Sequence, residues 1–455
     1  MNWKEKRFLV FGTGISGIAA TELLKKEEID VVIYDGNETV DVKVVREKSP
    51  FLADVPVILG ELPTEELEKI DIAVLSPGVP TDLPIVNKMR DMGIAIWGEI
   101  ELAYVFGKGK ILAITGTNGK TTTTTLLGEI MKAAFDDVKV VGNIGIPYTS
   151  VASDTTEDTV IVAEISSFQL ETIHSFCPQV SGILNITPDH LNRHHTMDNY
   201  IDAKKAITKN QREEQICVLN YEDEVLRAFG EKQPFGVVYF SSQRVLEKGL
   251  YLVGDEIRVN DGTEERLICK TGDLQILGKH NYENVMAATA MALGAGVSLK
   301  VIREVLLRFQ AVEHRIEYVT EKRGVRFYND SKGTNPDAAI QAIRAMEWPT
   351  LLIGGGYDKG SEYQEWIEAF EGKVKKFVLL GATREKIAQT AEACGYPKED
   401  IIMADSLEEA IKICYTNAEK GDAVLLSPAC ASWGMFKNYE ERGDLFKEMV
   451  KELEE

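Results

Sequence analysis

The sequence predicts an α/β protein of three domains: a Rossmann-like N-terminal domain over residues 1–97, a central P-loop-type domain over 98–311 and a doubly wound Rossmann-like domain over 312–455. A chain of 455 residues is long enough for two to four domains, each with its own core. Glycine loops follow two apolar, strand-like runs and precede helix-compatible stretches. The last third of the chain alternates short strands with helices.

The composition is that of a soluble globular protein, with 44% hydrophobic and 27% charged residues. A net charge of −21 argues against a nucleic-acid partner, which needs a basic face, but leaves room for a local basic pocket. The six cysteines are scattered without a Cys-x-x-Cys pair, which favours a reducing compartment. Neither a signal-peptide core nor an apolar run of about 18–20 residues is found. We therefore expect a cytoplasmic protein with no membrane partner.

The first predicted strand, residues 7–12, leads into Gly12, Gly14 and Gly17 and then a helix to about residue 26. The next strand ends in Asp35. Glycines that admit a pyrophosphate and an acid that binds a ribose are the fingerprint of a dinucleotide site. The domain is short for two mononucleotide-binding halves, however, so a single nucleotide moiety fits its size better.

The central domain opens with an apolar strand, followed by Gly116-x-x-Gly119-Lys120-Thr121. Glycines let backbone amides turn onto phosphate oxygens, the lysine can reach terminal phosphates, and the threonine hydroxyl can bind magnesium. The spacing is not the full Walker A pattern, because Ile114 stands where a glycine is required. A glycine turn with a threonine cap is the structural alternative.

Three further segments of this domain carry candidate ligands. A predicted strand ends in Glu164, which suits either a magnesium ligand or a cap of the next helix. His190 and His194 have the spacing of zinc ligands, but Leu191 replaces the glutamate of a zincin helix, so a cluster facing phosphate or magnesium is favoured. Asn281 fits either a helix cap or a ligand contact.

The C-terminal domain has polar segments at 329–335 and 427–443, after its first and last predicted strands. Ligands of open α/β sheets bind beyond the carboxyl ends of the strands, so both segments should lie on one functional rim. Turn chemistry alone is the alternative. The strands are predicted near 325–330, 350–355, 374–381, 400–404 and 422–427.

Taken together, these motifs resemble the Mur ligase family over essentially the whole chain. The resemblance rests on segments 116–121, 164–171, 185–190, 314–315 and 329–335. Segment 427–443 is similar to that of the D-glutamate-adding members. Asn118 stands where the L-alanine-adding members have histidine, and the Asp-Asn-Pro-Arg motif of the diaminopimelate-adding members is not found. Gly333 replaces an alanine that many members carry.

The resemblance implies an ATP-dependent amide ligase of bacterial peptidoglycan precursor synthesis. Such an enzyme activates the terminal carboxylate of UDP-N-acetylmuramoyl-L-alanine as an acyl phosphate, and D-glutamate then attacks to give the amide, ADP and phosphate. The implied cofactors are ATP, two magnesium ions and a carbamylated lysine, in a monomer. Two alternatives remain: a folylpolyglutamate synthase-like ligase, against which the first domain counts, and a non-catalytic nucleotide-binding regulator.

The resemblance also implies the site residues. Those for ATP are Gly116, Thr117, Asn118, Gly119, Lys120, Thr121, Thr122, Asn281, Asn284, Arg315 and Asp330. Those for the UDP substrate are Gly14, Ile15, Ser16, Asp35, Gly78 and Asn143. Those for D-glutamate are Lys332, Thr334, Lys359, Ser427 and Phe436. The metal ligands are Thr121, Glu164, His190 and, as a carbamate, Lys204. Catalysis is assigned to Lys120, His190 and Lys204, although the last would otherwise be predicted as an ordinary helix-surface lysine.

Overall fold

The computed structural model describes residues 2–310 and 312–454, without the side chain of Asn192. Ala311, the last residue of the predicted central domain, lies outside the described residues. The predicted α/β fold class is confirmed: the chain forms three β-sheets, with helices between their strands. The chain divides into two compact units, Met1–Cys269 with Glu283–Leu306, and Lys270–Tyr282 with Leu307–Glu455. The domain boundaries near residues 97 and 311 stay predictions.

The first sheet has five parallel strands in the order β3-β2-β1-β4-β5. Its central strand is apolar and buried from Phe8 to Phe11, as the sequence predicts for a strand covered by helices on both faces. The strands are β1 Arg7–Phe11, β2 Asp30–Asp35, β3 Val57–Leu59, β4 Ile72–Leu75 and β5 Ala95–Gly98. The helices are α1 Ile15–Lys26, α2 Val42–Glu47, α3 Thr64–Leu67, α4 Pro84–Asp91 and α5 Glu99–Phe106.

The second sheet has nine strands in the order β14-β13-β12-β11-β10-β9-β6-β8-β7. The neighbours from β12 to β7 are parallel, and β12 and β13 form an antiparallel pair. The strands are β6 Lys110–Thr115, β7 Val138–Gly142, β8 Val160–Glu164, β9 Val180–Ile183, β10 Ile216–Asn220, β11 Gly236–Ser241, β12 Gly249–Val253, β13 Glu256–Asn260 and β14 Glu265–Lys270. The helices are α6 Lys120–Ala134, α7 Ser167–Leu170, α8 Leu191–His194, α9 Met197–Lys205, α10 Glu224–Gly230, α11 Lys279–Gly294 and α12 Leu299–Leu306.

The third sheet has six strands in the order β15-β16-β20-β17-β18-β19, parallel except for the β15–β16 pair. All five strands predicted for this domain are confirmed, and β15 is additional. The strands are β15 Glu317–Lys322, β16 Val325–Asn329, β17 Thr350–Gly354, β18 Val374–Leu379, β19 Ile401–Met403 and β20 Ala423–Leu426. The helices are α13 Pro336–Ala345, α14 Gln364–Glu368, α15 Arg384–Ala393, α16 Leu407–Asn417 and α17 Tyr439–Lys451.

Membrane-spanning helices are not found in the described part of the chain, because no helix there combines the necessary length and apolar character.

Candidate functional site

The predicted phosphate loop connects β6 to α6. Gly116 and Gly119 have φ values of 153° and 83°, which glycine adopts without strain. A Cβ on Gly119 would lie 2.3 Å from the Asn284 side-chain oxygen, so the loop also packs too closely for a larger residue. No side chain caps α6, which begins at Lys120. The helix N-terminus therefore offers backbone amides to an anion, together with the positive end of its dipole.

The segment that follows β9 fixes the phosphate loop from one side. The Asn118 backbone N–H donates to Asn185 Oδ1 at 2.8 Å, and Asn185 Nδ2 donates to the Asn118 carbonyl at 3.1 Å. The Thr117 hydroxyl oxygen accepts from the Thr187 N–H at 3.0 Å and lies 3.1 Å from the Tyr200 hydroxyl. These contacts hold the loop in one conformation before any ligand arrives, which lowers the cost of binding phosphate.

The Nζ atoms of two lysines meet at the Gly116 carbonyl. Lys120 Nζ donates to the carbonyl oxygens of Gly116 and Thr117, both at 2.8 Å. Lys204 Nζ, carried by α9, donates to the Gly116 oxygen at 2.7 Å. Lys204 is only 2% exposed, so the surface position expected from the sequence alone is wrong. Burial and the neighbouring Lys120 charge lower the pKa of Lys204 to about 6, so the amine is largely neutral at neutral pH.

Glu164 is 1% exposed and lies opposite Ile114 across the β6–β8 pair. Its Oε1 accepts from Asn143 Nδ2 at 2.8 Å, while its Oε2 is buried without a hydrogen-bond partner among the described residues. The next helix does not need it as a cap, because Ser166 already forms a capping box there. A buried carboxylate oxygen without a partner is costly, and a cation beside the phosphate loop would satisfy it.

The two histidines of the zinc-like spacing lie in different surroundings. His190 is half-exposed, with its ring centroid 5.0 Å from that of Phe168. His194 is buried, and its two ring nitrogens lie 2.9 Å from Ser167 Oγ and 3.3 Å from Glu171 Oε1. Because both nitrogens of His194 are engaged, the structure does not present the two histidines as a chelating pair.

A largely buried ion pair next to His194 had no role in the sequence analysis. Arg193 Nη2 donates to Glu171 Oε2 at 2.8 Å and to the Val79 carbonyl at 3.0 Å. The Thr81 hydroxyl donates to the same glutamate oxygen at 3.2 Å. The pair thus ties α7 and α8 to the loop after β4, which contains Gly78. The sequence analysis included Glu171 in the segment 164–171 but gave no sign that it contacts Arg193.

The glycine turn of the first sheet has the predicted form. A Cβ on Gly17 would lie 2.0 Å from the Gly12 carbonyl oxygen, so α1 can pack on β1 only with glycine there. Gly14 is the residue before α1, and no side chain caps the helix. Ile15 at the start of α1 is 80% exposed, and Ser16 follows it. The arrangement places the apolar Ile15 side chain beside backbone amides that can donate hydrogen bonds to an anion.

The predicted ribose-binding acid is already engaged. Asp35 Oδ2 accepts from the Thr13 N–H at 3.1 Å and hydroxyl at 2.7 Å, and Oδ1 accepts from the Asn37 N–H at 3.0 Å. Asp35 therefore orders the turn after β1. Gly78 lies exposed in the turn after β4, whereas Asn143 belongs to the second sheet, where it follows β7.

In the third sheet, the segments that follow β16, β20 and β17 share one rim, because these strands are neighbours and run parallel. Asp330 follows β16 and is buried, and Ser427, which follows β20, donates its hydroxyl to Asp330 Oδ2 at 2.7 Å. Burial raises the pKa of Asp330 to about 7. The predicted shared rim is thus confirmed for these two segments.

The other predicted residues of this rim differ in exposure. Lys332 and Thr334 are half-buried, and the Thr334 N–H donates to the Lys332 carbonyl at 2.8 Å. Lys359 lies in an exposed loop after β17, and Phe436 packs against the apolar cluster of this sheet. Arg315 precedes β15, and its Nε is buried without a hydrogen-bond partner.

Arg442 organises this rim, although the sequence interpretation gave it no role of its own. Its Nε donates to Ser331 Oγ at 2.9 Å, and its two terminal nitrogens donate to the Ser331 carbonyl at 2.7 Å and the Cys430 carbonyl at 3.3 Å. Burial lowers the pKa of Arg442 to about 10. The only sequence signal for the role of Arg442 was that it is a charged residue inside the segment 427–443.

Of the two alternatives for Asn281, the helix cap is wrong. The helix α11 begins two residues earlier, at Lys279, so Asn281 lies in the first turn and donates its Nδ2 to the Leu277 carbonyl at 2.7 Å. Asn284, one turn further along, accepts from the Thr123 hydroxyl at 3.2 Å and thereby contacts α6.

Three family models match the chain in sequence order. They are described as "Mur ligase MurD-like, N-terminal domain", matching residues 6–98, "Mur ligase middle domain", matching 114–292, and "Mur ligase, glutamate ligase domain", matching 314–430. The three matches and the three β-sheets together define an α/β protein with the domains of a ligase. The chain belongs to the Mur ligase family, and the resemblance drawn from the motifs is confirmed.

Relatives match over the full length. A protein of Lachnoclostridium phytofermentans named UDP-N-acetylmuramoylalanine–D-glutamate ligase is 56% identical over 455 residues, which is 100% of both chains. Proteins of the same name from Lachnospira eligens and Caldanaerobacter subterraneus are 55% and 49% identical, again over 100% of both chains.

Solved structures match in fold. The MurF ligase of Thermotoga maritima in complex with ADP matches with a TM-score of 0.59 at 17% identity, over 99% of both chains. The UDP-N-acetylmuramate-alanine ligase MurC of the same organism matches with a TM-score of 0.60 at 18% identity, over 98% of this chain and 99% of that one.

Proposed function

We propose that this protein is an ATP-dependent ligase that joins D-glutamate to UDP-N-acetylmuramoyl-L-alanine in peptidoglycan precursor synthesis. The observation that carries the proposal is the 49–56% identity, over the whole of both chains, to three relatives that bear the name of that ligase. The preformed phosphate loop at Lys120 supplies the chemistry that such a reaction needs. All ligands of the reaction are small molecules, and we propose a monomer in the bacterial cytoplasm.

The reaction requires a terminal phosphoryl group to be held still while a carboxylate attacks it. The uncapped amides at the start of α6 and the Lys120 ammonium are suited to binding those phosphate oxygens and neutralising their charge. We assign the phosphates to residues 116–122. Following the family resemblance, we assign the adenosine part of ATP to Asn281, Asn284, Arg315 and Asp330. The product is an acyl phosphate on the substrate, with ADP as the leaving group.

The residues around the phosphate loop fit magnesium. The partnerless Oε2 of Glu164 and the Thr121 hydroxyl at the start of α6 are hard oxygen donors, and the half-exposed His190 offers a ring nitrogen to a second ion. Magnesium, when bound, neutralises charge on the transferring phosphoryl group.

A carbamate on Lys204 would complete the metal ligands. Carbamate formation needs a neutral amine, whose nitrogen attacks the carbon of CO₂ and releases one proton. The lowered pKa of Lys204, about 6, supplies the neutral amine at neutral pH. The modification converts a buried, largely neutral amine into an anion next to the Lys120 ammonium, so an attraction between opposite charges stabilises the modified form.

We assign the uridine nucleotide of the substrate to the first sheet and the adjoining loops. Gly14 precedes α1, Ile15 and Ser16 begin it, and Asp35 orders the turn beside them. Gly78 and Asn143 are the proposed contacts for the pyrophosphate and the sugar. Because Asn143 also donates to Glu164, a substrate held by it lies next to the proposed metal ligand.

We assign D-glutamate to the rim of the third sheet. Its two carboxylates need cations, which Lys332 and Lys359 supply, and Thr334, Ser427 and Phe436 complete the proposed pocket. The amino group of D-glutamate must be neutral to attack the acyl phosphate, so it must lose a proton before the amide forms.

The test is a phosphate-release assay of the purified protein with ATP, magnesium, UDP-N-acetylmuramoyl-L-alanine and a panel of D- and L-amino acids. We expect phosphate release that depends on both the UDP substrate and D-glutamate. Release with another amino acid, or with a folate in place of the UDP substrate, would overturn the proposed specificity and support the folylpolyglutamate synthase-like alternative. Nucleotide binding without any release would support a non-catalytic regulator.

A further inference from the structure

Each of the two lysines assigned to D-glutamate faces an aromatic ring from the same segment. Lys359 Nζ lies 5.0 Å from the Trp433 ring centroid, and Lys332 Nζ lies 5.3 Å from that of Tyr439. Both rings belong to the segment 427–443. We propose that Trp433 is a positioning residue that holds the Lys359 ammonium ready for a carboxylate of the incoming amino acid. The inference rests on the proposed function.

The loops that carry Lys359 and Trp433 are joined by the backbone. Tyr357 and Ala431 form an isolated antiparallel bridge, in which the Tyr357 N–H donates to the Ala431 carbonyl at 2.9 Å. The rings of Tyr357 and Trp433 pack with their centroids 5.6 Å apart. Trp433 is therefore fixed against the Lys359 loop, although it is 54% exposed.

The charge of Lys359 is oriented but not neutralised. Within the described residues, Lys359 has no carboxylate within ion-pair distance, whereas Lys375 pairs with Glu419 and Asp422. The adjacent Asp358 uses a carboxylate oxygen to accept from the Gly360 N–H at 2.7 Å. An aromatic face attracts a cation through its quadrupole and leaves the full charge available to a ligand.

The contact between the Trp433 ring and the Lys359 ammonium should affect the binding of D-glutamate. An exposed lysine has many rotamers, and ordering it during binding costs free energy. A ring that restricts the ammonium beforehand removes part of that cost for D-glutamate, while the phosphoryl-transfer step involves neither residue. Loss of the ring should therefore raise KM for D-glutamate and leave kcat unchanged.

The experiment measures steady-state kinetics of the full chain with saturating ATP, magnesium and UDP substrate. We expect Trp433→Ala to raise KM for D-glutamate about 3- to 10-fold, with kcat and the KM values for the other substrates unchanged. Trp433→Phe should restore part of the affinity, because a smaller ring still offers a face to the cation. Met435→Ala, which removes an exposed apolar side chain of the same loop, is the matched control and should retain the KM of the unsubstituted protein.

A double-mutant cycle with Lys359→Ala tests whether Trp433 acts through the lysine. If it does, adding Trp433→Ala to Lys359→Ala raises KM no further. Additive effects, an unchanged KM in Trp433→Ala, or a loss confined to kcat would each overturn the inference while the proposed function stands. Absence of D-glutamate-dependent turnover in the unsubstituted protein would overturn the proposed function and this inference with it.

Discussion

Lys204 illustrates how much a single side chain depends on its surroundings. Its burial on α9 and the neighbouring Lys120 charge turn a surface-type residue into a buried amine of lowered pKa. We expect Lys204→Ala to lose most phosphate release, and added acetate to restore part of it by supplying carboxylate oxygens. Lys205→Ala, at the next position of the same helix, is the control and should keep its activity without acetate. Full activity of Lys204→Ala in buffer depleted of carbon dioxide would contradict the carbamate.

Lys120 should be indispensable to turnover and dispensable to folding. The variant Lys120→Ala removes the cation that we assign to the terminal phosphates, and the expected loss of transition-state stabilisation is about 3 kcal/mol or more. Phosphate release measures the loss, and circular dichroism tests that the fold is retained. Lys132→Ala, on the exposed face of the same helix, should behave like the unsubstituted protein. A folded Lys120→Ala protein with near-normal turnover would exclude the loop from the mechanism.

Asp330 should make stability depend on pH in a definite direction. Burial raises its pKa in the folded chain to about 7, above its value in the unfolded chain of about 4. Between these two values the unfolded state releases a proton that the folded state keeps, so the free energy of unfolding falls as pH rises, and the effect levels off above pH 7. Urea unfolding should show this fall between pH 5 and pH 7 relative to Asp330→Asn. An equal pH dependence of both proteins would contradict it.

At the scale of elements, the sequence predicts the buried parallel strands and their glycine loops best. The continuous apolar runs of β1, β6 and β8 leave little choice of structure, and their ends agree with the predictions within about one residue. The strands β3 and β19 are only three residues long, and β13 and β15 mix charged with apolar residues, β15 at the edge of its sheet and β13 next to the edge strand β14. Pairing with neighbouring strands, rather than local pattern, makes such segments extended, so β3, β13 and β15 are among the strands that were not predicted.

The Arg193–Glu171 pair should stabilise the helices α7 and α8 against the loop after β4. Their side chains are 12% and 15% exposed, so Arg193→Ala leaves a largely buried carboxylate with fewer partners. We expect a loss of about 2 kcal/mol in the free energy of unfolding, below the cost of breaking a fully buried pair. KM for the UDP substrate should also rise, because the loop contains Gly78. Urea unfolding and steady-state kinetics measure both effects.

The control for Arg193 is Arg212→Ala, which removes an exposed arginine of the same compact unit. Its stability and KM should match those of the unsubstituted protein. Equal stability of Arg193→Ala and Arg212→Ala would mean that the ion pair contributes nothing measurable.

At the scale of the whole molecule, the sequence predicts which segments carry functional residues. It predicts less well which of these segments contact one another in the fold. The rule that ligands bind beyond the carboxyl ends of parallel strands correctly groups 329–335 with 427–443. Contacts such as Asn118 with Asn185, or Arg193 with Val79, join residues far apart in the chain. They depend on the order of strands in each sheet, which motifs do not specify. The partnerless oxygen of Glu164 likewise emerges only from packing.

The last prediction follows from the assignment of the uridine nucleotide to the first sheet. The whole chain should bind the UDP substrate and not NAD. The first sheet has the order 3-2-1-4-5 and lacks the sixth strand that completes two mononucleotide-binding halves. Its acid, Asp35, is held by Thr13 and Asn37, which disfavours its use on an NAD ribose. Isothermal titration calorimetry should therefore give binding heat with the UDP substrate alone.

Ile15 supplies the variant for that titration, since its exposed side chain lies at the start of α1 where the base is assigned. Burial of its apolar surface against a uracil should be lost in Ile15→Ala, which we expect to weaken UDP-substrate binding about fivefold. Val44→Ala, an exposed apolar residue of α2 in the same sheet layer, is the matched control and should leave the affinity unchanged. If NAD bound as tightly as the UDP substrate, the glycine turn would instead belong to a dinucleotide site. A dinucleotide places its pyrophosphate on such a turn and its adenosine ribose on the acid after β2.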